Sequence, residues 1–168
     1  MSDKATLADV ARSLFAEPTV ALTLQRIVDL AAETVDGCDG AGLLLVGKRE
    51  IVAGAWSNEL ARKIEAMEYE IGEGPCLDAI WEVSRFESSD LREQSSLWPT
   101  FAARAIEAGV ESMLAFRLFV SDETLGALDL YGSRRGAFDL LRASSQDQNT
   151  KLRVVAEHVV DTGTLPER

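Results

Sequence analysis

Two strand-like segments joined by a short polar turn constrain the fold most, because each has two chemically distinct faces. Residues 112–120 and 125–131 both alternate in character, and alternate side chains of a strand point to opposite faces of a sheet. One register brings the apolar residues together on a single face: Leu114, Phe116, Leu118, Leu128 and Leu130. The same register places Arg117 and Asp129 together on the opposite, mixed face. The sequence therefore predicts an antiparallel hairpin with helices on its apolar face and a pocket on its mixed face.

Further strands and helices follow from the spacing of apolar residues. Apolar runs predict strands at 41–46 and 51–56 and a short strand around Phe86. Helical spacing predicts a helix after Ser57 or Asn58 and others at 5–17, 20–35, 75–83, 99–109 and 144–160. Because strands and helices do not alternate regularly, we expect an α+β fold with a central antiparallel sheet of five to six strands.

Composition narrows the range of partners. A chain of 168 residues fits a single domain, 1–168. The formal net charge of −11 argues against direct contact with nucleic acid or an anionic membrane. With no signal pattern and no apolar run of about 18 residues, we expect a cytoplasmic location. The two cysteines provide neither a disulfide framework nor, with one histidine, a zinc ligand set, so we expect no metal or other cofactor.

The segment from Gly72 to Asp78 is open to two interpretations. Two glycines and Pro75 mark a sharp turn into a helix, with Cys76 at its first turn. A helix N-terminus can lower the pKa of a thiol, which would make Cys76 redox-active or adduct-forming. The alternative is a small core residue, which cysteine commonly is. Reductase chemistry also needs a resolving thiol, and Cys38 is far away in sequence.

Several phrases together resemble a GAF domain, and more narrowly the sensor half of actinobacterial GAF–ANTAR regulators. They are Tyr69-Glu-Ile-Gly-Glu-Gly-Pro-Cys-Leu-Asp78, Trp98-Pro-Thr-Phe101, Ala108-Gly-Val110 and Leu125-Gly-Ala-Leu-Asp-Leu-Tyr131. The resemblance covers roughly residues 20–138. The three-helix ANTAR region is missing from this sequence, so RNA binding is not carried over.

The resemblance implies a sheet with terminal helices (5–17 and 144–160) on one face, where they often dimerise. It also implies a small-molecule site on the other face, under the helices that follow the second strand. The residues it places at or near that site are Trp56, Met67, Cys76, Phe101, Arg117, Asp129 and Tyr131.

Each of these candidates has a plainer alternative. Trp56 could stack on a ligand or fill the core. Arg117 and Asp129 could bind a polar ligand or form a cross-strand ion pair. His158 could be a haem ligand, although a lone histidine more often serves packing or lies at the surface. The acidic residues 65, 68, 70 and 73 show no metal-ligand spacing, and we interpret them as a solvated face.

We therefore expect a non-enzymatic GAF domain that senses an unknown small molecule in signal transduction or transcription regulation, and that forms a homodimer. One alternative is a thiol-dependent reductase of the free methionine sulfoxide type that uses Cys76. Another is a ligand-free scaffold for protein contacts.

Overall fold

The computed structural model describes residues 16–47, 50–81, 85–120 and 123–139. Two predicted helices lie outside the described residues: the helix at 144–160, which contains His158, and the helix at 5–17, of which only residues 16 and 17 are described. Four helices are described: α1 (Val20–Thr34), α2 (Glu59–Ile71), α3 (Pro75–Trp81) and α4 (Pro99–Glu107). The five strands are β1 (Gly40–Val46), β2 (Ile51–Trp56), β3 (Arg85–Ser88), β4 (Ser112–Val120) and β5 (Glu123–Gly132). A 3₁₀ turn at Leu91–Gln94 precedes α4.

All five strands belong to one antiparallel sheet in the order β2-β1-β5-β4-β3. The expected α+β class and five-stranded sheet are confirmed. In the β4–β5 hairpin, Leu114 pairs with Leu130 and Phe116 with Leu128, so the apolar residues share one face as predicted. The hairpin continues the sheet on both sides, since β1 pairs with β5 and β3 with β4.

The apolar face of the hairpin packs against α1, as predicted. Leu24 and Val28 of α1 contact a buried cluster that includes Leu43, Leu114 and Leu130. The side chain of Thr19 accepts a hydrogen bond from the Leu22 N–H and caps the start of α1. Among the described residues, this face of the sheet is thus closed mainly by apolar packing.

The mixed face is covered by α2, α3 and α4. Ile64 of α2 and Phe101 of α4 pack with Met113 and Tyr131 of the sheet. Asn58 caps α2 by accepting a hydrogen bond from the Ala61 N–H at 3.0 Å, one of the two caps considered from sequence. This second layer buries three carboxyl groups, those of Glu65, Glu68 and Asp129, beneath its helices.

Candidate functional site

Two glutamates of α2 point into the protein. Ala61, Ile64, Glu65 and Glu68 follow the i, i+3, i+4, i+7 spacing of one helix face, so Glu65 and Glu68 continue the apolar stripe that packs on the sheet. Their exposed fractions are 3% and 1%. The interpretation of these two residues as part of a solvated face is wrong, whereas Glu70 is exposed as expected.

Two glycines make room for these carboxylates. A Cβ atom at Gly42 of β1 would collide with the carboxylate of Glu65, and a Cβ at Gly74 would collide with that of Glu68. Gly74 also has φ +142°, a backbone conformation that favours glycine. Both carboxylates therefore occupy space that a side chain at position 42 or 74 would otherwise fill.

The Gly72–Asp78 segment joins three helices. Gly72 ends α2 with φ +75°, and Pro75 begins α3. Glu73 accepts hydrogen bonds from the N–H groups of Thr100 and Phe101 at the start of α4, at 3.0 and 3.1 Å. Asp78 accepts one from the indole N–H of Trp98 at 2.9 Å. The segment is thus a structural junction as well as the support for Cys76.

Asp129 lies at the centre of a row of residues that crosses the sheet. The successive cross-strand partners are Trp56, Gly42, Asp129, Ala115 and Phe86. Directly paired residues share a face, so this row forms the floor beneath α2 and α3. Asp129 has no exposed surface, and small residues flank it on both sides.

We call Glu65, Glu68, Cys76, Asp129 and Tyr131 the buried acidic site. The ligand atoms of Glu65, Glu68 and Cys76 lie within 4.8 Å of one another. Asp129 interacts electrostatically with all three of these residues. The site is therefore built from α2, α3 and β5.

Only part of the hydrogen-bonding capacity of the site is used. The Tyr131 hydroxyl donates to Glu65 Oε1 at 2.9 Å, and the Cys76 N–H donates to Glu68 Oε1 at 3.1 Å. Glu65 Oε2, Glu68 Oε2 and both Asp129 oxygens have no hydrogen-bond partner in the structure. No ion pair joins a described Lys, Arg or His to these three carboxyl groups. Three acidic groups are therefore concentrated here without a basic partner among the described residues.

Burial shifts the acid–base equilibria of the site. It raises the pKa of Asp129 to about 7, against the lowering influence of Cys76 and Glu65. Burial, and then the charge of Asp129, raises the pKa of Glu65 and of Glu68 well above the usual range. The same two causes raise the pKa of the Cys76 thiol. The proposed lowering of the Cys76 pKa is thus wrong, because desolvation and nearby carboxylates outweigh the helix N-terminus.

The seven residues implied by the resemblance separate into groups. Cys76, Asp129 and Tyr131 meet at the buried acidic site, and Trp56 stands at one end of the row that contains Asp129. The Trp56 indole N–H is buried and has no hydrogen-bond partner. By contrast, Met67 and Phe101 are core residues between α2 and α4.

Arg117 does not pair with Asp129. The two residues share a face as predicted, but Arg117 lies opposite Ala127, and Asp129 lies opposite Ala115. The Arg117 guanidinium sits over the Phe119 ring at 5.5 Å from its centre, and its Nε has no hydrogen-bond partner. The cross-strand ion pair is therefore absent, because the pairing register offsets the two side chains by one row.

The two thiols lie on opposite faces of the sheet. Cys38 packs with the α1 cluster, whereas Cys76 packs with Leu44, Ala115 and Ala127 beneath α3. Both are free. Cys38 therefore does not supply a resolving thiol beside Cys76 in this structure.

Glu65 and Glu68 are the site residues that the sequence reasoning missed. The available signal was helical spacing: Glu65 lies four residues after Ala61, and Glu68 lies four residues after Ile64, which puts both acids on an apolar stripe. A second signal was the pair of glycines at 42 and 74. Gly42 lies inside a strand, where no turn explains the presence of glycine. Helical periodicity is judged from apolar residues, so Glu65 and Glu68 do not contribute to that signal although they share the spacing of the core residues.

A matching family model identifies the fold family. The GAF domain model matches residues 18–143, which is most of the chain, and the chain belongs to this family. A comparison with curated proteins gives no match. Among the described helices, none is long and apolar enough to cross a membrane.

Several solved structures share the fold at low sequence identity. The GAF domain of a phosphoenolpyruvate-protein phosphotransferase from Coxiella burnetii is 19% identical with a TM-score of 0.61, and 95% of each chain is covered. Free methionine-R-sulfoxide reductase from Neisseria meningitidis, in complex with its substrate, is 19% identical with a TM-score of 0.58, covering 83% of this chain and 85% of that one. The corresponding enzyme from Staphylococcus aureus, also with substrate, is 18% identical with a TM-score of 0.58, covering 78% and 79%.

The prediction that this chain is not an enzyme is wrong, because its fold does not support that conclusion. Similar structures include free methionine-R-sulfoxide reductases from three organisms, at 14–19% identity. Identity at this level shows the fold alone. Since that fold houses enzymes as well as the regulatory type of GAF domain, an enzymatic role is open to this chain.

Proposed function

We propose that this chain is the ligand-sensing domain of a signal-transduction or transcription-regulation system, and that it binds a small positively charged ligand at the buried acidic site. The observation that carries the proposal is the group of three buried carboxyl groups with four unpartnered oxygens. Burying carboxylates without a partner is costly, so a cation that occupies the site would be stabilised by it. The setting in regulation rests on the resemblance of the four sequence phrases to the sensor half of GAF–ANTAR regulators.

Native mass spectrometry of the full chain purified from its own host tests this proposal. We expect wild-type protein to carry an added mass that Asp129→Asn loses. Glu70→Gln is the matched control, because Glu70 lies on α2 but its side chain is 74% exposed. Equal occupancy in all three proteins would refute binding at this site. A chain that arrives empty and binds no cationic probe would favour the scaffold function instead.

Free methionine-R-sulfoxide is the organic probe to try first, because it carries an ammonium group and is the substrate of reductases with this fold. Its turnover, with dithiothreitol as reductant, would assign a reductase activity to the same site. Cys76→Ser would then abolish turnover, whereas Cys38→Ser would preserve it.

We also propose that the chain acts as a homodimer through residues 5–17 and 144–160, as the resemblance implies. Light scattering after size-exclusion chromatography would give twice the chain mass of 18.3 kDa. Deletion of either segment would yield monomer, and a full chain that elutes as monomer would contradict the proposal.

A further inference from the structure

In each glutamate of the buried acidic site, one carboxylate oxygen accepts a hydrogen bond and the other has no partner. Glu65 is fixed through Oε1 by the Tyr131 hydroxyl, and Glu68 through Oε1 by the Cys76 N–H. The Oε2 atom of each is unpartnered and buried. This division is typical of metal ligands, whose outer oxygens or nitrogens are oriented by hydrogen bonds from a surrounding shell.

Asp129 supplies a second, independent observation. It comes from β5, on the sheet side of the site, and it has no exposed surface. The side chains of Cys76 and Glu65 lie close enough to lower its pKa, yet no hydrogen bond of good geometry reaches either of its oxygens. A buried carboxylate with both oxygens in this state is what a cation ligand requires.

We propose that the ligand of this site is a thiophilic divalent metal ion of the zinc type, bound by Glu65, Glu68, Cys76 and Asp129. This inference rests on the proposed function and names its ligand class. Carboxylate oxygens alone would suit magnesium or calcium, but a thiolate among the donors selects softer ions.

The spacing of the donors fits such an ion after a small contraction. The donor atoms of Glu65, Glu68 and Cys76 are all within 4.8 Å of one another. Zinc–oxygen and zinc–sulfur bonds of about 2.0–2.3 Å place the ligand atoms of a tetrahedral site roughly 3.4 Å apart. Binding of the ion would draw these three donors together by the difference. On binding, the thiol proton and any carboxyl protons pass to solvent, and four protein–metal bonds form.

Cobalt(II) binding to the chelator-treated full chain tests the proposal. Thiolate ligation of cobalt produces a near-ultraviolet charge-transfer band, and we expect this band to saturate at one ion per chain. Added zinc should displace cobalt and remove the band. Cys76→Ser should lose the band, whereas Cys38→Ser keeps it.

Further variants separate ligation from folding. We expect Tyr131→Phe, which keeps the ring but releases Glu65, to weaken cobalt binding by about 10- to 100-fold. Glu68→Gln and Asp129→Asn should weaken it at least tenfold, and Glu70→Gln should leave it unchanged. Thermal unfolding of each metal-free variant identifies any that fails to fold. If a variant does not fold, wild-type protein is tested with zinc and with magnesium instead, and only zinc should raise its melting temperature.

The outcomes distinguish this inference from the proposed function. A band that survives in Cys76→Ser, or cobalt binding without a thiolate band, overturns the metal assignment. If ethylammonium or free methionine-R-sulfoxide binds and cobalt does not, the metal assignment fails and the cationic-ligand function stands. If neither cobalt nor the amines bind, both fail.

Discussion

At the scale of single residues, each buried glutamate of the candidate site depends on a glycine that leaves room for its carboxylate. Glu65 fits because Gly42 has no Cβ, and Glu68 fits because Gly74 has none. Gly42 has no left-handed backbone requirement, so space alone explains glycine there. Carboxylates that need a glycine opposite them are positioned tightly, which is what a binding site requires.

Gly42→Ala should therefore destabilise the protein by about 1–3 kcal/mol, because the added methyl overlaps the Glu65 carboxylate. The loss is measured by urea unfolding. In a Glu65→Ala background the same glycine substitution should cost much less, since the clash is gone. An equal cost in both backgrounds would show that crowding against Glu65 is not the cause.

At the scale of elements, the start of α4 is secured from outside its own sequence. Trp98 occupies its N-cap position, but its side chain accepts no hydrogen bond from the N–H groups of the helix. Glu73, from the turn before α3, accepts from the Thr100 and Phe101 N–H groups instead. A carboxylate at a helix N-terminus also interacts favourably with the helix dipole. The α2–α3 turn thus stabilises α4, although more than twenty residues separate them.

Glu73→Ala should cost roughly 1–2 kcal/mol of stability, the usual value of a lost cap, and should selectively weaken amide protection at the start of α4. Urea unfolding and hydrogen exchange measure the two effects. Glu70→Ala is the control and should stay within about 0.5 kcal/mol of wild type. Uniform loss of protection across the chain would argue against a local cap.

The elements themselves were largely predictable, because their signals are local. Alternation predicted which residues of β4 and β5 share a face, and Asn58 and Gly72 marked the ends of α2. The site was less predictable, because it depends on long-range partners. Nothing near Glu73 in sequence reveals that it caps α4. Equally, alternation placed Arg117 and Asp129 on one face, but it did not fix which residues pair across the two strands, so the offset between them could not be predicted.

At the scale of the whole molecule, the two faces of the sheet have different energetics. The α1 face is closed by apolar contacts, whereas the other face buries three carboxyl groups of raised pKa. A group whose pKa is higher in the folded than in the unfolded protein binds more protons when folded. Its contribution to stability is therefore fully present at low pH and is lost as pH rises through the folded value.

The metal-free protein should accordingly become less stable between pH 5 and pH 7. For Asp129, with a folded pKa of about 7, the slope is roughly 1.4 kcal/mol per pH unit in this range. Urea unfolding in the presence of a chelator measures it. Asp129→Asn should reduce the slope by the contribution of Asp129, while Asp29→Asn, outside the site, should leave it intact. Stability that rises from pH 5 to pH 7 would show that these carboxyl groups are not buried as described.

The two glycine–glutamate pairs also constrain how this sequence can change over generations. A lineage that first replaces Glu65 with a shorter residue can later accept a side chain at position 42, whereas the reverse order passes through a crowded intermediate. The same asymmetry holds for Glu68 and position 74, where backbone geometry adds a second barrier. Related chains that keep both acids should therefore also keep both glycines, and those that have abandoned the acids are free to fill the space.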